Sequence, residues 1–234
     1  MILTVGNVKG GVGKSTLACN IATSLSLVGV GDVLLIDGDK QGSSAIFAEA
    51  RVENLGKTGF TCVRAQGSEV LNQVKTMREK FAHIIIDAGG QDNPSLRAGL
   101  VASDKVLVPI PPRSAEIWVL DAISDLIEEA SITNDRLESF AAINFAFPRG
   151  NDNADTTEII TDDFKNMRLI GKPIVQRKVW SDALGQGLSI LEAKPRNMDA
   201  IGEFLSLLAG LGINQNNMKV IYNGRTKEAK TQVV

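Results

Sequence analysis

The chain has 234 residues, 44% of them hydrophobic and 22% charged, with a formal net charge of −2. That length and balance fit one globular domain, or at most two small ones, and exclude a disordered or fibrous chain. No run of about 18 apolar residues is present, which excludes a transmembrane helix, and Cys19 and Cys62 are too few and too far apart for a disulfide framework or a CxxC site.

The first residues run directly into a motif and carry no signal-peptide pattern, so the expected location is the cytoplasm. The net charge hides an asymmetry. Residues 1–164 carry 14 basic and 22 acidic side chains, a balance of −8, while residues 165–234 carry 11 and 5, a balance of +6. A basic C-terminal third can be a solvated face or the footprint of a polyanion partner.

In chain order, the first apolar run is Ile2–Val8, of strand length. It is followed by Lys9-Gly10-Gly11-Val12-Gly13-Lys14-Ser15-Thr16 and then by a helical stretch, Ser15–Val28. Val33–Ile36 predicts a second strand and Ser68–Lys80 a helix; Ile84–Ile86 is a strand and Pro94–Ser103 a helix. Val106–Ile110 is a further strand, and Ser114–Ala130 a helix with a stripe at Ile117, Leu120, Ile123, Leu126 and Ile127. Phe140–Phe147 is the last apolar run. Residues 149–157, RGNDNADTT, predict a loop, and residues 197–210 a final helix. Several strands are apolar at every position, as in a parallel sheet covered on both faces. The alternation predicts an α/β fold with a mostly parallel sheet flanked by helices on both faces. Residues 1–212 are expected to form a single domain, and 213–234 a polar, basic tail.

Ligands of such sheets lie at the carboxyl ends of the strands, and the chemically suggestive residues fall there. A strand, a glycine-rich loop, Lys-Ser/Thr and a helix together suit a phosphate. Glycines let backbone N–H groups curl round the anion, and the helix N-terminus adds its positive end. Lys14 can reach the outer phosphates and Ser15 can sit on Mg²⁺. The general pattern GxxxxGK[ST] is not met in full, because Val8 stands where its first glycine would be.

The segment from Lys9 to Thr16 resembles the deviant Walker A box of the ParA/MinD ATPases, in which that first glycine is not required and a second lysine precedes the glycine pair. The resemblance implies a P-loop NTPase fold with ATP held by Gly10, Gly11, Val12, Gly13, Lys14, Ser15 and Thr16. It also implies that Lys9 reaches the nucleotide of a partner in an ATP-dependent homodimer. Val33-Leu-Leu-Ile-Asp37-Gly-Asp39-Lys40-Gln41-Gly42 resembles the segment hhhDxDPQG, with Lys40 in place of proline. That likeness puts Asp39 beside the attacking water and Asp37 near Mg²⁺. His83-Ile-Ile-Ile-Asp87-Ala-Gly-Gly90 resembles a Walker B strand and its switch, which makes Asp87 a Mg²⁺ ligand. Ser103 to Pro111 and Ala115 to Trp118 resemble later family stretches, with Trp118 in packing or an interface. Asn144 matches the family's adenine-binding position or is a strand-end cap, and Pro148 and Arg149 would flank the base.

Three functional classes share this fold. A ParA-type ATPase forms an ATP sandwich dimer, binds DNA without sequence preference and is triggered by a ParB-like or other adaptor to move a plasmid, chromosome or protein cargo. It is nucleoid-associated when ATP-bound. A MinD-type ATPase needs a C-terminal amphipathic helix, whereas the tail NQNNMKVIYNGRTKEAKTQVV has scattered apolar residues, so no membrane partner is expected. A NifH-like reductase needs cluster-ligating cysteines, and Cys19 and Cys62 do not look placed for that; a small P-loop ligase is the remaining relative. The ParA reading uses Lys165, Arg168, Lys172, Arg177, Lys178, Lys194 and Arg196 as candidate DNA contacts. They resemble the basic spots of short ParA proteins without an N-terminal DNA-binding domain. Weak basal turnover is expected, since no built-in arginine finger is evident.

Overall fold

Strand and helix alternate along almost the whole chain in the computed structural model, which describes residues 1–90, 94–112 and 117–213. The order is β1 (Ile2–Val5), α1 (Lys14–Val28), β2 (Val33–Asp37), α2 (Ser43–Leu55), β3 (Thr61–Arg64), α3 (Ser68–Met77), β4 (His83–Asp87) and α4 (Pro94–Ala102). Then come β5 (Lys105–Ile110), α5 (Ile117–Thr133), β6 (Glu138–Ala146), α6 (Asp152–Asp163), β7 (Arg168–Leu169), β8 (Ile174–Val175), α7 (Lys178–Gly185) and α8 (Met198–Gly210).

The strands form one sheet in the order β3-β2-β4-β1-β5-β6-β7, with β8 also beside β6. Every pairing is parallel. Strand β1 lies between β4 and β5, with β2 and β3 on one side and β6 to β8 on the other. The winding reverses there, which opens a crevice above the carboxyl end of β1.

Side chains alternate between two layers, as the pleat requires. Leu3, Val5, Val33, Leu35, Leu107, Phe140 and Ala142 pack on the layer holding α1, α2, α7 and α8. Val106, Val108, Ala141 and Ile143 face α4, α5 and α6. Ile2, Leu34, Ile36, Ile84 and Ile86 face α3. Because both faces are covered, nearly every strand position is apolar, and that is the feature the sequence displays.

Several expectations need correction. Of residues 149–157, only 149–151 are a loop: α6 starts at Asp152. It buries only Thr156 and Ile160, so its apolar stripe is too thin to read. Asp152 and Asp155 in its first turn suit the helix dipole. The Asn153 amide fastens its entry by donating to the Phe147 carbonyl at 2.7 Å and accepting from the Phe147 N–H at 3.1 Å. The pattern also omitted α2, whose buried face is Ser44, Phe47, Ala48 and Arg51; a buried arginine and serine break the periodicity. Strand β1 stops at Val5 rather than Val8, and α3 at Met77 rather than Lys80. Ile213, expected to open the tail, packs in the core below α8 and donates its N–H to the Leu208 carbonyl at 2.9 Å. The rest of the expected tail, Ala115 and Glu116 lie outside the described residues. Among the described residues, no helix is long and apolar enough to cross a membrane.

Candidate functional site

The loop between β1 and α1 is held by side chains that the motif alone does not reveal. Asn7 donates to the Pro109 carbonyl at 2.9 Å and accepts from the Lys9 N–H at 3.0 Å. Val12 is buried and pins the loop from within. Gly13 has φ 90°, and a Cβ there would lie 2.2 Å from Asn144 Nδ2. Glycine is needed on both counts. Asn144 is not a free strand-end cap: its amide donates to the Val12 carbonyl at 2.7 Å, clamping the loop to β6.

Lys14, the first residue of α1, is buried, and its ammonium donates to the Lys9 carbonyl at 2.8 Å. Burial lowers its pKa; the negative charges of Asp87 and Asp39 oppose that shift. Lys9 itself is half-buried at the loop's start, and Gly10 and Gly11 are exposed.

The three candidate aspartates differ in their surroundings. Asp37 and Asp87 end adjacent parallel strands in register. Asp37 is fully buried, and its carboxylate accepts from the Asp39 N–H at 3.2 Å and the Ala45 N–H at 2.8 Å. It therefore builds the β2–α2 loop and caps the first turn of α2. Burial raises its pKa, opposed by those backbone N–H groups. Asp39 accepts from the Gln41 N–H at 3.0 Å and lies on the cavity wall. Asp87 is also fully buried; its Oδ2 accepts from the Ser44 hydroxyl at 2.7 Å, while Oδ1 has no protein partner. Burial pushes its pKa up to about 7, opposed by the Ser44 and Ser15 hydroxyls.

Ser44 is a site residue the sequence did not single out. It touches Asp87 through its Oγ, and the Cys19 thiol lies 3.3 Å from the same oxygen. Burial raises the Cys19 thiol well above its usual range and the Cys62 thiol to about 12, which disfavours the thiolate form of both. A cavity of about 650 Å³ gathers the loop residues Gly10, Gly11, Gly13, Lys14, Ser15 and Thr16 with Asp39, Lys40, Gln41 and Ser43. Gly90, Leu184 and Phe145 complete its wall with Pro94. Gly90 comes so close to the loop that a Cβ there would stand 3.0 Å from Gly10 Cα and 3.2 Å from Lys14 Nζ. The segment after β4 thus touches the phosphate loop directly. Pro148 and Arg149 are exposed beyond β6.

The donor set fits Mg²⁺. An orphaned, buried carboxylate oxygen on Asp87 stands near a loop hydroxyl, and Mg²⁺ is held by one or two carboxylates with phosphate oxygens and water. No cluster of three or more His, Cys, Asp or Glu side chains is present among the described residues, so no closed all-protein metal cage exists there.

The basic candidates do not form one surface. Arg177 precedes α7 and forms a two-pronged pair with Glu203 of α8, one contact being 2.8 Å, so its guanidinium is committed to holding α7 against α8. Arg168 lies over the Phe140 ring at 4.8 Å from the centroid, at the opposite end of the sheet from the cavity. Lys165 donates to the Thr161 carbonyl at 2.6 Å, and Lys172 is exposed after β7. Lys194 and Arg196 line a second cavity beside α7, and Lys178 is exposed at the start of that helix. Trp118, expected in packing or an interface, is 65% exposed.

The sequence profile of the CobQ/CobB/MinD/ParA nucleotide binding domain matches residues 3–223. Maintenance of carboxysome distribution protein A from Halothiobacillus neapolitanus is 24% identical, covering 88% of this chain and 94% of its own. Protein ParA from Rhizobium radiobacter is 26% identical, covering 85% and 90%. The structure of a Cyanothece McdA variant in complex with ATP superposes with a TM-score of 0.76 over 92% of this chain and 97% of that one, at 17% identity, which supports the fold. With a match spanning nearly the whole chain, and a phosphate loop and strand-end carboxylates in place, this protein belongs to the CobQ/CobB/MinD/ParA family of nucleotide-binding domains.

Proposed function

We propose that the chain is a ParA-type ATPase working as one domain that reaches at least to Ile213. It binds MgATP, pairs with a second copy, and releases that copy after hydrolysis. One observation carries the reading: the buried Lys14 ammonium and the buried Asp87 carboxylate, whose Oδ1 has no protein partner, lie by one glycine loop, with Asp39 on the cavity wall. Loop N–H groups and Lys14 would bind the phosphates, and Lys9 would serve the partner's nucleotide. Ser15 and Asp87 would hold Mg²⁺, which supplies charge neutralisation on the β- and γ-phosphates. Asp37 contributes from one shell further out, since its oxygens already accept backbone N–H groups. Asp39 would orient the water.

Lys178, Lys194 and Arg196 around α7 are the DNA contacts this reading favours, with Lys165 and Lys172 as outlying charges. Such contacts neutralise phosphates and read no bases, so affinity falls steeply with salt. Two copies double the patch, which lets ATP switch DNA binding on. An adaptor carrying a flexible basic segment would stimulate hydrolysis and define the cargo, whether DNA or a protein body. The test is co-sedimentation of the pure protein with DNA, under ATP, ADP and no nucleotide, at two salt concentrations, with liposomes as a control surface. ATP-dependent, salt-sensitive pelleting with DNA alone is expected. Pelleting with liposomes, or none with DNA, overturns the reading.

A further inference from the structure

Strand β6 changes phase just before it ends. Phe140 and Ala142 face the α1 layer, and Ala141 and Ile143 face the α5 layer. Asn144 returns to the α1 side, where it holds Val12. Regular alternation would then send residue 145 to the α5 layer and residue 146 away from it. Yet Ala146 packs in the α5 layer together with Ile143. The extra residue is Phe145. Against β8, Asn144 pairs with Ile174 and Ala146 with Val175, so three residues of β6 stand opposite two of β8. Phe145 has φ 57°, the only positive φ outside glycine among the described residues. A bulky L-residue pays a steric penalty in that region and persists there only when its surroundings hold it.

The bulge redirects one ring. Phe145 leaves the apolar layer and lines the cavity beside the phosphate loop, with its Cζ 3.4 Å from where a Cβ on Gly13 would stand. Bulges often re-aim a side chain in this way next to active sites. Among the described lining residues it is the one aromatic ring, and the other apolar side chains there are Leu184 and Pro94. A nucleotide whose phosphates occupy the loop amides and Lys14 must place its base beyond the loop, where the flat face of the base can meet the aromatic ring on this wall.

We propose that Phe145 is the platform on which the nucleobase stacks, held in its bulged conformation so that its ring faces the cavity rather than the core. The proposal rests on the ATP-site reading and names the residue that binds the non-phosphate part of the ligand. Stacking is tolerant of base identity, because every base has a π-face. Phe145 therefore adds affinity for nucleoside triphosphates as a class.

The test is calorimetric titration of ATP, GTP and inorganic tripolyphosphate into the wild type, Phe145→Ala, Phe145→Gly and Phe145→Tyr. Phe145→Gly removes the ring and also relieves the positive φ, so a folding defect from backbone strain cannot imitate the result. Expected are a roughly tenfold loss of ATP and GTP affinity in the Ala and Gly variants, consistent with base–aromatic stacking. Tripolyphosphate affinity should stay unchanged, and Phe145→Tyr should bind as the wild type does. Unaltered or tighter ATP binding by both truncated variants overturns the proposal, as does an equal loss for tripolyphosphate, which would make the ring a prop of the loop. A wild type that binds neither ATP nor tripolyphosphate would instead sink the ATPase reading.

Discussion

The nucleotide end and the basic region around α7 hold charge in opposite ways. At the nucleotide end, Lys14, Asp37 and Asp87 are buried and share one small volume. Around α7, the cations are exposed, as with Lys178 and Lys194, or turned inward to a carboxylate, as with Arg177. Burying a charge is costly unless its partners are fixed, so the first arrangement depends on each residue present. An exposed charge is individually worth little, so the second tolerates exchange and acts by number. One region is specified residue by residue, the other by its sum.

The largest effect expected is at the loop. Lys14→Ala should lower ATP affinity by at least about a hundredfold, since a buried charge-assisted contact to phosphate is lost. Calorimetric titration checks it, and undiminished affinity would break the contrast at its strongest point. Asp39→Ala should keep ATP binding but reduce phosphate release by about tenfold or more, because water positioning is lost while the phosphate contacts remain. Phosphate release and light-scattering mass with ATP measure this, the expected product being a long-lived dimer.

Asp87 gives a pH prediction for the protein free of nucleotide and Mg²⁺. Burial raises its pKa to about 7 from the usual aspartate value of 3.8. The folded state therefore binds more protons than the unfolded state between those values, and stability falls as pH rises through that window. Asp87→Asn should remove this loss and gain on the order of a few kcal/mol at pH 8, with little change near pH 4. Denaturant melts at the two pH values decide it. A constant difference across that range would contradict a buried carboxylate that must ionise.

The smallest effects belong to the basic region. Lys178→Glu with Lys194→Glu should weaken ATP-dependent DNA binding and flatten its salt dependence while sparing basal ATPase activity. Arg177→Ala should behave differently. It should cost about 1–3 kcal/mol of stability through the stranded Glu203 carboxylate, with DNA affinity changed little in the folded protein. If filter binding shows Arg177→Ala to be the more damaging to DNA affinity, the separation of these cations into exposed and committed groups is wrong.

These regions were also unequally legible. The strands and the glycine loop were readable because double-sided burial makes β2, β4 and β5 apolar throughout, and because a phosphate loop uses a local run of residues. Asp37 and Asp87 were readable as strand-end carboxylates, and Asp39 as a carboxylate in the loop just beyond β2. Ser44 was not, because it meets Asp87 across 43 positions of sequence. Helix α2 was hidden by Arg51 on its buried face, and α6 by its thin apolar stripe. Arg177 looked like its neighbour Lys178 in sequence, and only packing against α8 separates them. Phe145 looked like one more apolar residue of its strand until the phase of β6 was known.

The segment after α7 is fastened to the rest by buried polar bonds as well as by Ile190 and Leu191, which sit in the core. Arg51 on α2 grips the Gly187 carbonyl at 2.8 Å and Glu192 at 2.7 Å, with both side chains nearly inaccessible. Asn20 on α1 receives the Ser189 hydroxyl at 3.0 Å and the Ile190 N–H at 2.7 Å. The two helices that begin at the phosphate loop and at the Asp39 loop thus hold one common segment, and that segment runs on to Lys194. A tilt of either helix would have to carry these buried bonds along or break them, and a buried carboxylate or guanidinium left without its partner is costly.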